Sequence, residues 1–142
     1  METDQLGRLH DILEAARLIA SYVFDTTEAA FRADTQKQDA VIRRIEIIGE
    51  AAAHLTEKTR QAIPELPFRK MRGMRNIVTH EYANVDVKIV WDVAIVEIPH
   101  IIAVLQKFFA DPQMTGWGDQ PEVRRPQCWG PVYLRVLCSY SR

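Results

Sequence analysis

The sequence predicts an all-α protein with one helical domain over residues 1–110 and an irregular tail over residues 111–142. Three observations carry that expectation. Apolar residues recur at steps of three and four along several long stretches, the signature of helices with one buried face. A chain of 142 residues can build one domain with a real core and is too short for two comfortable ones. Beyond Asp111 the composition changes: Pro112, Gly116, Gly118, Pro121, Pro126, Gly130 and Pro131 punctuate the chain and no helical period survives.

The elements follow in order. Leu6, Leu9, Ile12, Leu13, Ala16, Ile19, Ala20 and Val23 form the stripe of a first amphipathic helix, with Thr3 or Asp4 as its cap. Thr27 to Ala33 adds a turn or two before Asp34 and Thr35 open the second long helix. There Val41, Ile42, Ile45, Ile48, Ala52 and Leu55 mark the apolar face, and Arg43, Glu46, Glu50 and His54 the polar one. Pro64 and Pro67 bracket a break, since proline cannot continue a helix and biases the residue before it towards extended geometry. A helix from Phe68 to about Tyr82 follows. Gly73 in its interior costs roughly 1 kcal/mol relative to alanine, so a close neighbour is expected there. Asp86 then caps a last helix reaching about Ala110. Its run VDVKIVWDVAIVEI is rich in β-branched residues and in isolation reads as a buried strand. Sustained apolarity over ~25 residues exceeds any ordinary strand, so length decides for helix. Pro99 should kink that helix or split it. Because it is apolar nearly all round, a second subunit is expected against it, making a homodimer.

Composition limits the function classes without naming one. The chain is 47% hydrophobic and 26% charged with a formal charge of -1, which excludes disordered, collagenous and disulfide-stapled classes. The N-terminal METDQLGRLHDILEAARLIASYVF lacks the basic start and cleavage site of a signal peptide. No apolar run reaches the ~18 residues of a membrane span. A cytoplasmic location and no membrane association are therefore expected. Cys128 and Cys138 show no CxxC or Cys/His spacing, and His10, His54 and His100 lie on three different predicted helices. No metal site and no cofactor are expected.

One stretch concentrates chemistry: RGMRNIVTHEY, Arg72 to Tyr82. Helical spacing sends Asn76 and His80 one way, and Arg75, Thr79 and Tyr82 in a neighbouring direction. From Glu57 to Tyr82 the chain holds Lys58, Arg60, Arg69, Lys70, Arg72 and Arg75 against Glu57, Glu65 and Glu81. That local positive excess suits phosphate. Arginine and histidine without a metal cluster or a positioned serine or cysteine fit RNA cleavage by its own 2'-hydroxyl. Imidazole exchanges protons, and guanidinium holds the charge building on the phosphorane. One histidine cannot act as base and acid at once, and a two-fold dimer would bring two Arg75/His80 pairs into one cleft. On spacing alone the bland reading leads, because arginine and histidine near a helix end also interact with its exposed carbonyls and macrodipole. Arg43 and Arg44 with Glu46 and Glu50 read as a solvated face with local ion pairs, although Glu50 or Glu46 could orient a cleft arginine.

RNIVTHEY, Arg75 to Tyr82, resembles the RX4HXY pattern of the HepT-like toxins, a branch of the HEPN ribonuclease superfamily. QDAVIRRIEIIGEAA (Gln38 to Ala52), GMRNIVTHEYANVD (Gly73 to Asp86) and VWDVAIVEIP (Val90 to Pro99) extend the resemblance over roughly residues 5 to 110. It implies an antiparallel HEPN-type bundle that dimerises and a metal-independent endoribonuclease. Arg75 and His80 would be the catalytic pair with Asn76 as helper, and Arg69, Lys70 and Arg72 would contact the RNA. The resemblance further implies a toxin of a type VII toxin-antitoxin system. Its partner would be an MntA-like nucleotidyltransferase antitoxin that transfers AMP from ATP onto Tyr82, adding bulk and negative charge at the mouth of a positive cleft. The alternative reading is a non-catalytic partner that binds nucleotide or substrate for a minimal nucleotidyltransferase, and a third is a structural dimerisation module. The tail after Asp111 carries no part of the resemblance.

Overall fold

Apolar stripes become helices here wherever two of them can close on a shared core. The computed structural model describes residues 1–79 and 86–111, the side chains of residues 77–79 excepted. Among the described residues the regular elements are α1 (Thr3–Val23), α2 (Glu28–Ala33), α3 (Thr35–Ala53), α4 (Glu57–Ala62), α5 (Phe68–Thr79), α6 (Val87–Asp92), a π-helical turn (Val93–Glu97) and α7 (Ile98–Ala110). The expected all-α bundle is the fold. Residues 80–85, with His80 and Tyr82, and the tail from residue 112, with Cys128 and Cys138, lie outside the described residues.

The core is built by α1, α3 and α7, with α5 laid on α3. Leu9, Ile12 and Ile19 of α1, Val41, Ile45 and Ile48 of α3, Met71 of α5, and Ile98, Ile101 and Leu105 of α7 are completely buried. Each such side chain contributes about 1.5–3 kcal/mol on leaving water, less the entropy of ordering it. Neighbours run in opposite directions. Gln5 at the start of α1 reaches the chain just beyond the end of α3, and the His10 and Phe109 rings meet edge-on, centroids 6.1 Å apart, where α1 begins and α7 ends.

Helix starts follow side-chain chemistry in most places. Thr27 accepts from Ala30 N at 3.2 Å to open α2, Asp34 from Lys37 N at 3.0 Å to open α3, and Asp86 from Lys88 N at 2.9 Å to open α6. At α1 the expected cap is corrected. Thr3 is already helical, and the cap position belongs to Glu2, which makes no side-chain cap bond. Asp4 instead places its charge in the first turn, where the helix dipole favours it. α3 closes at Ala53, short of Leu55, and Thr56 then opens α4 by accepting from Thr59 N at 3.3 Å. The sequence pattern did not reveal α4, because six residues are too few for a period to register.

Pro99 divides the last helix as expected, in a specific manner. A π-helical turn ends at Glu97 and Pro99 sits in the first turn of α7. The wider π ring shifts the carbonyl register just where proline offers no N–H and its ring would clash. The expectation that this helix needs a second subunit because it is apolar all round is narrowed. Val90, Trp91, Ala94, Ile102, Val104 and Phe108 are buried within the one chain, whereas Ile89 is 47% and Val96 61% exposed. No described helix is long and apolar enough to cross a membrane.

Candidate nucleic-acid interface around Arg75

A glycine decides where Arg75 stands. A Cβ on Gly49 of α3 would lie 2.8 Å from Arg75 N and 3.1 Å from Arg75 Cα. α3 and α5 therefore cross with the backbone of one against the bare Cα of the other, a proximity that any side chain on residue 49 would forbid. The close neighbour expected at Gly73 is absent: a Cβ there would meet nothing within 4 Å. The argument from a glycine inside a helix holds for this protein, but at Gly49.

The next residue uses that crossing. Glu50 Oε2 lies 3.4 Å from Arg75 Nε, and both side chains are about half exposed. An ion pair this open stabilises little, about 0–1 kcal/mol, so its effect is orientation. The other oxygen of the carboxylate, Oε1, lies 3.5 Å from His54 Nδ1, which also sits 2.9 Å from the Glu50 carbonyl oxygen. Of the two acids suggested as orienting an arginine, Glu50 meets Arg75, while Glu46 pairs with Arg43 at 3.2 Å.

Arg75 lies between two grooves. On the α1 side, a groove of about 490 Å³ is lined by Arg8, Arg43 and Arg75 and equally by Asp11, Glu46 and Glu50. On the α4 side, a groove of about 550 Å³ is lined by Arg60, Arg69, Arg72 and Arg75 with Asn76, Gly73, Phe68 and Ala53. Among the described residues its lining includes no carboxylate. The spacing 69, 72, 73, 76 explains the row, since residues three and four apart share a helix face. Arg69, Arg72, Arg75 and Asn76 thus line one groove. Lys70 does not line this groove; its Nζ lies 2.6 Å from Glu97 Oε1, tying α5 to the π-helical turn. Among the described residues no group of three or more His, Cys, Asp or Glu side chains comes together as a metal site would.

Three residues escaped the sequence reading of the site. Gly49 and Arg60 are in the sequence plainly enough, the first inside GEAA beside Glu50 and the second within the counted positive excess. Nothing in one dimension says that either meets α5. The third is Gln5, polar yet only 4% exposed. Its Oε1 accepts from Thr56 N at 2.8 Å and Thr59 Oγ1 at 3.2 Å, and its Nε2 donates to the His54 carbonyl at 3.4 Å. This clamp anchors the α3–α4 junction, and thereby Arg60, to α1.

An antiparallel all-α bundle that sets an arginine at the edge of an arginine-lined groove fits a ribonuclease of the HEPN type. The chain belongs to the HepT-like ribonuclease family, whose model, described as "Ribonuclease HepT-like", matches residues 12–108. The chain is similar to the "Probable ribonuclease HepT" of Thermococcus cleftensis, 36% identical over 107 residues that make up 75% of this chain and 97% of that protein. A "Putative RNase" of Methanocaldococcus jannaschii is 34% identical over 103 residues, 72% of this chain and 85% of that protein. A "Gamma-glutamylcyclotransferase and putative RNase" of the same organism is 41% identical over 101 residues, 71% of this chain but 46% of that protein. No solved structure gives a significant match. The family makes the activity class that of a ribonuclease and RNA the class of substrate.

Proposed function

We propose that the protein is the toxin of a type VII toxin-antitoxin system, a metal-independent endoribonuclease working through Arg75 and His80 and silenced by AMP on Tyr82. The observation that carries the proposal is the placement of Arg75. Its backbone is fixed against Gly49 and its guanidinium is oriented by Glu50, at the edge of a groove lined by arginines and, among the described residues, no carboxylate. His80 follows Asn76 by four residues in the sequence.

In the mechanism a neutral His80 imidazole takes the 2'-hydroxyl proton. The 2'-oxygen then attacks the adjacent phosphorus, the Arg75 guanidinium carries the charge growing on the non-bridging oxygens, and the P–O5' bond breaks. The leaving 5'-oxygen receives a proton from the second, protonated His80 of a two-fold dimer. Asn76 donates to the phosphate beside Arg75, and Arg69 and Arg72 hold the strand. Support for the dimer is the exposure of Ile89 and Val96, two large apolar side chains seven residues apart, about two turns along one helical run. Residues 1–110 would form the working domain in the cytoplasm.

An MntA-like nucleotidyltransferase antitoxin would transfer AMP from ATP to the Tyr82 hydroxyl, releasing pyrophosphate. The added bulk and negative charge would repel the RNA backbone at the groove mouth. The test is to treat the purified protein with such an enzyme and ATP, then follow both intact mass and cleavage of labelled RNA in EDTA. The expected result is one AMP per chain at Tyr82 with loss of cleavage, and a Tyr82→Phe variant that stays active and unmodified. Cleavage that persists in fully modified protein would refute the switch. Cleavage that vanishes in EDTA and returns with a divalent ion would refute the metal-independent mechanism.

A further inference from the structure

We infer that the RNA strand lies on the α4 side of Arg75 and that Arg60, contributed by α4, holds a backbone phosphate next to the one being cleaved. This rests on the ribonuclease reading above and adds to it the path of the substrate and a binding residue from a second helix.

The first argument is charge. The two grooves that flank Arg75 are of similar size, but among the described residues one sets three carboxylates beside its arginines and the other sets none. Arg8 is already 3.0 Å from Asp4, and Arg43 is 3.2 Å from Glu46. A polyanion entering that side meets acids with every cation. On the α4 side, arginines from α4 and α5 face one space, and each phosphate seated there releases condensed counterions, which is the dominant source of affinity for nucleic-acid backbones.

The second argument is the state of Arg60. Its side chain is only 25% exposed, and its Nε is buried with no hydrogen-bond partner among the described residues. Its Nη1 has only a long contact, 3.5 Å, to Glu57, whose own side chain is 71% exposed. Burial has removed water from a strong donor without supplying an acceptor, an arrangement that disfavours the empty groove and favours an incoming anion. A small rotation of the side chain would offer that donor to a phosphate oxygen.

The third argument is rigidity. Arg60 directly follows Thr59, which is buried and bonded through Oγ1 to Gln5. The guanidinium is therefore carried on a helix turn clamped to α1, so little order must be lost when phosphate binds.

The test uses the full chain, a single-stranded oligoribonucleotide and its 2'-O-methyl analogue, which cannot be cleaved through the 2'-hydroxyl. Binding of the analogue is measured against salt for wild type, Arg60→Gln, Arg60→Lys and Arg43→Gln, the last lying in the mixed groove. Losing one phosphate contact on a single strand should lower the slope of log K against log salt by about 0.7. Arg60→Gln is expected to show that drop, weaker binding and a higher KM with kcat nearly kept. Arg60→Lys should recover the slope, and so answers for any folding defect in the glutamine variant. Arg43→Gln should match wild type. An unchanged slope for folded Arg60→Gln, or an equal loss in Arg43→Gln, overturns the path while wild-type cleavage leaves the ribonuclease reading standing. Wild-type protein that neither binds nor cleaves any RNA overturns both.

Discussion

The two grooves beside Arg75 hold three and four arginines and differ in the company those arginines keep. In the α1-side groove three carboxylates stand among the arginines, Glu46 paired with Arg43 and Glu50 with Arg75, so much of the charge is met locally and the surface behaves as a solvated helix face. In the α4-side groove arginines of two helices converge with no carboxylate among the described lining residues, and the acids that Arg60 and Arg75 meet, Glu57 at 3.5 Å and Glu50 at 3.4 Å, stand outside it. A formal charge of -1 for the whole chain conceals both. The comparison teaches that partner chemistry is set by which charges share a space, which depends on helix crossings more than on counts.

The comparison can be broken most severely at the arginine common to both grooves. Arg75→Ala should lower RNA cleavage by roughly a hundred- to a thousand-fold, the usual cost of removing a donor aimed at transition-state charge, as read from initial rates. It should also weaken RNA binding. Next is Gly49→Val, which puts a branched side chain where even a Cβ is 2.8 Å from the backbone of Arg75. Overpacking of this kind costs about 1–3 kcal/mol on denaturant unfolding. Displacing the arginine by even ~1 Å should reduce cleavage about tenfold to a hundredfold. Gln5→Leu leaves Thr56 N and Thr59 Oγ1 without their acceptor and should cost about 1–3 kcal/mol of stability, with weaker RNA binding because α4 and Arg60 lose their anchor. Glu50→Gln should reduce cleavage several-fold through loss of orientation, while unfolding free energy changes by less than about 1 kcal/mol because the pair is exposed. Gly73→Ala, where a Cβ meets nothing, should stabilise by about 0.5–1 kcal/mol. The opposite signs expected at Gly49 and Gly73 separate a glycine that sets a helix crossing from one that does not.

How much of this could be seen in one dimension follows from how local each cause is. The stripes of α1, α3 and α7, the caps at Asp34 and Asp86, and the interruption at Pro99 depend on residues within a turn or two, and the sequence pattern carries them. Arg69, Arg72 and Asn76 fall on a single helix face, a spacing the sequence contains although the basic residues were read from it only as a local positive excess. α4 was too short to show a period, and Gln5 reads as a surface glutamine until its 51-residue reach to Thr56 is known. Lys70 looked like a member of the basic row, but adjacent residues on a helix point about 100° apart, and its partner is Glu97 on a distant segment. Gly49 required the angle and distance of a helix pair, a quantity no spacing rule contains. The family resemblance identified Arg75 and His80 together. The described residues bear on the first through its geometry, whereas His80 lies outside them.

The most direct test of the account is single-turnover cleavage of end-labelled RNA in EDTA by wild type, His80→Ala and Arg75→Ala, with RNA binding measured in parallel. The account predicts cleavage by wild type, binding without cleavage by His80→Ala, and loss of both in Arg75→Ala. A His80→Ala protein that cleaves at the wild-type rate would contradict it.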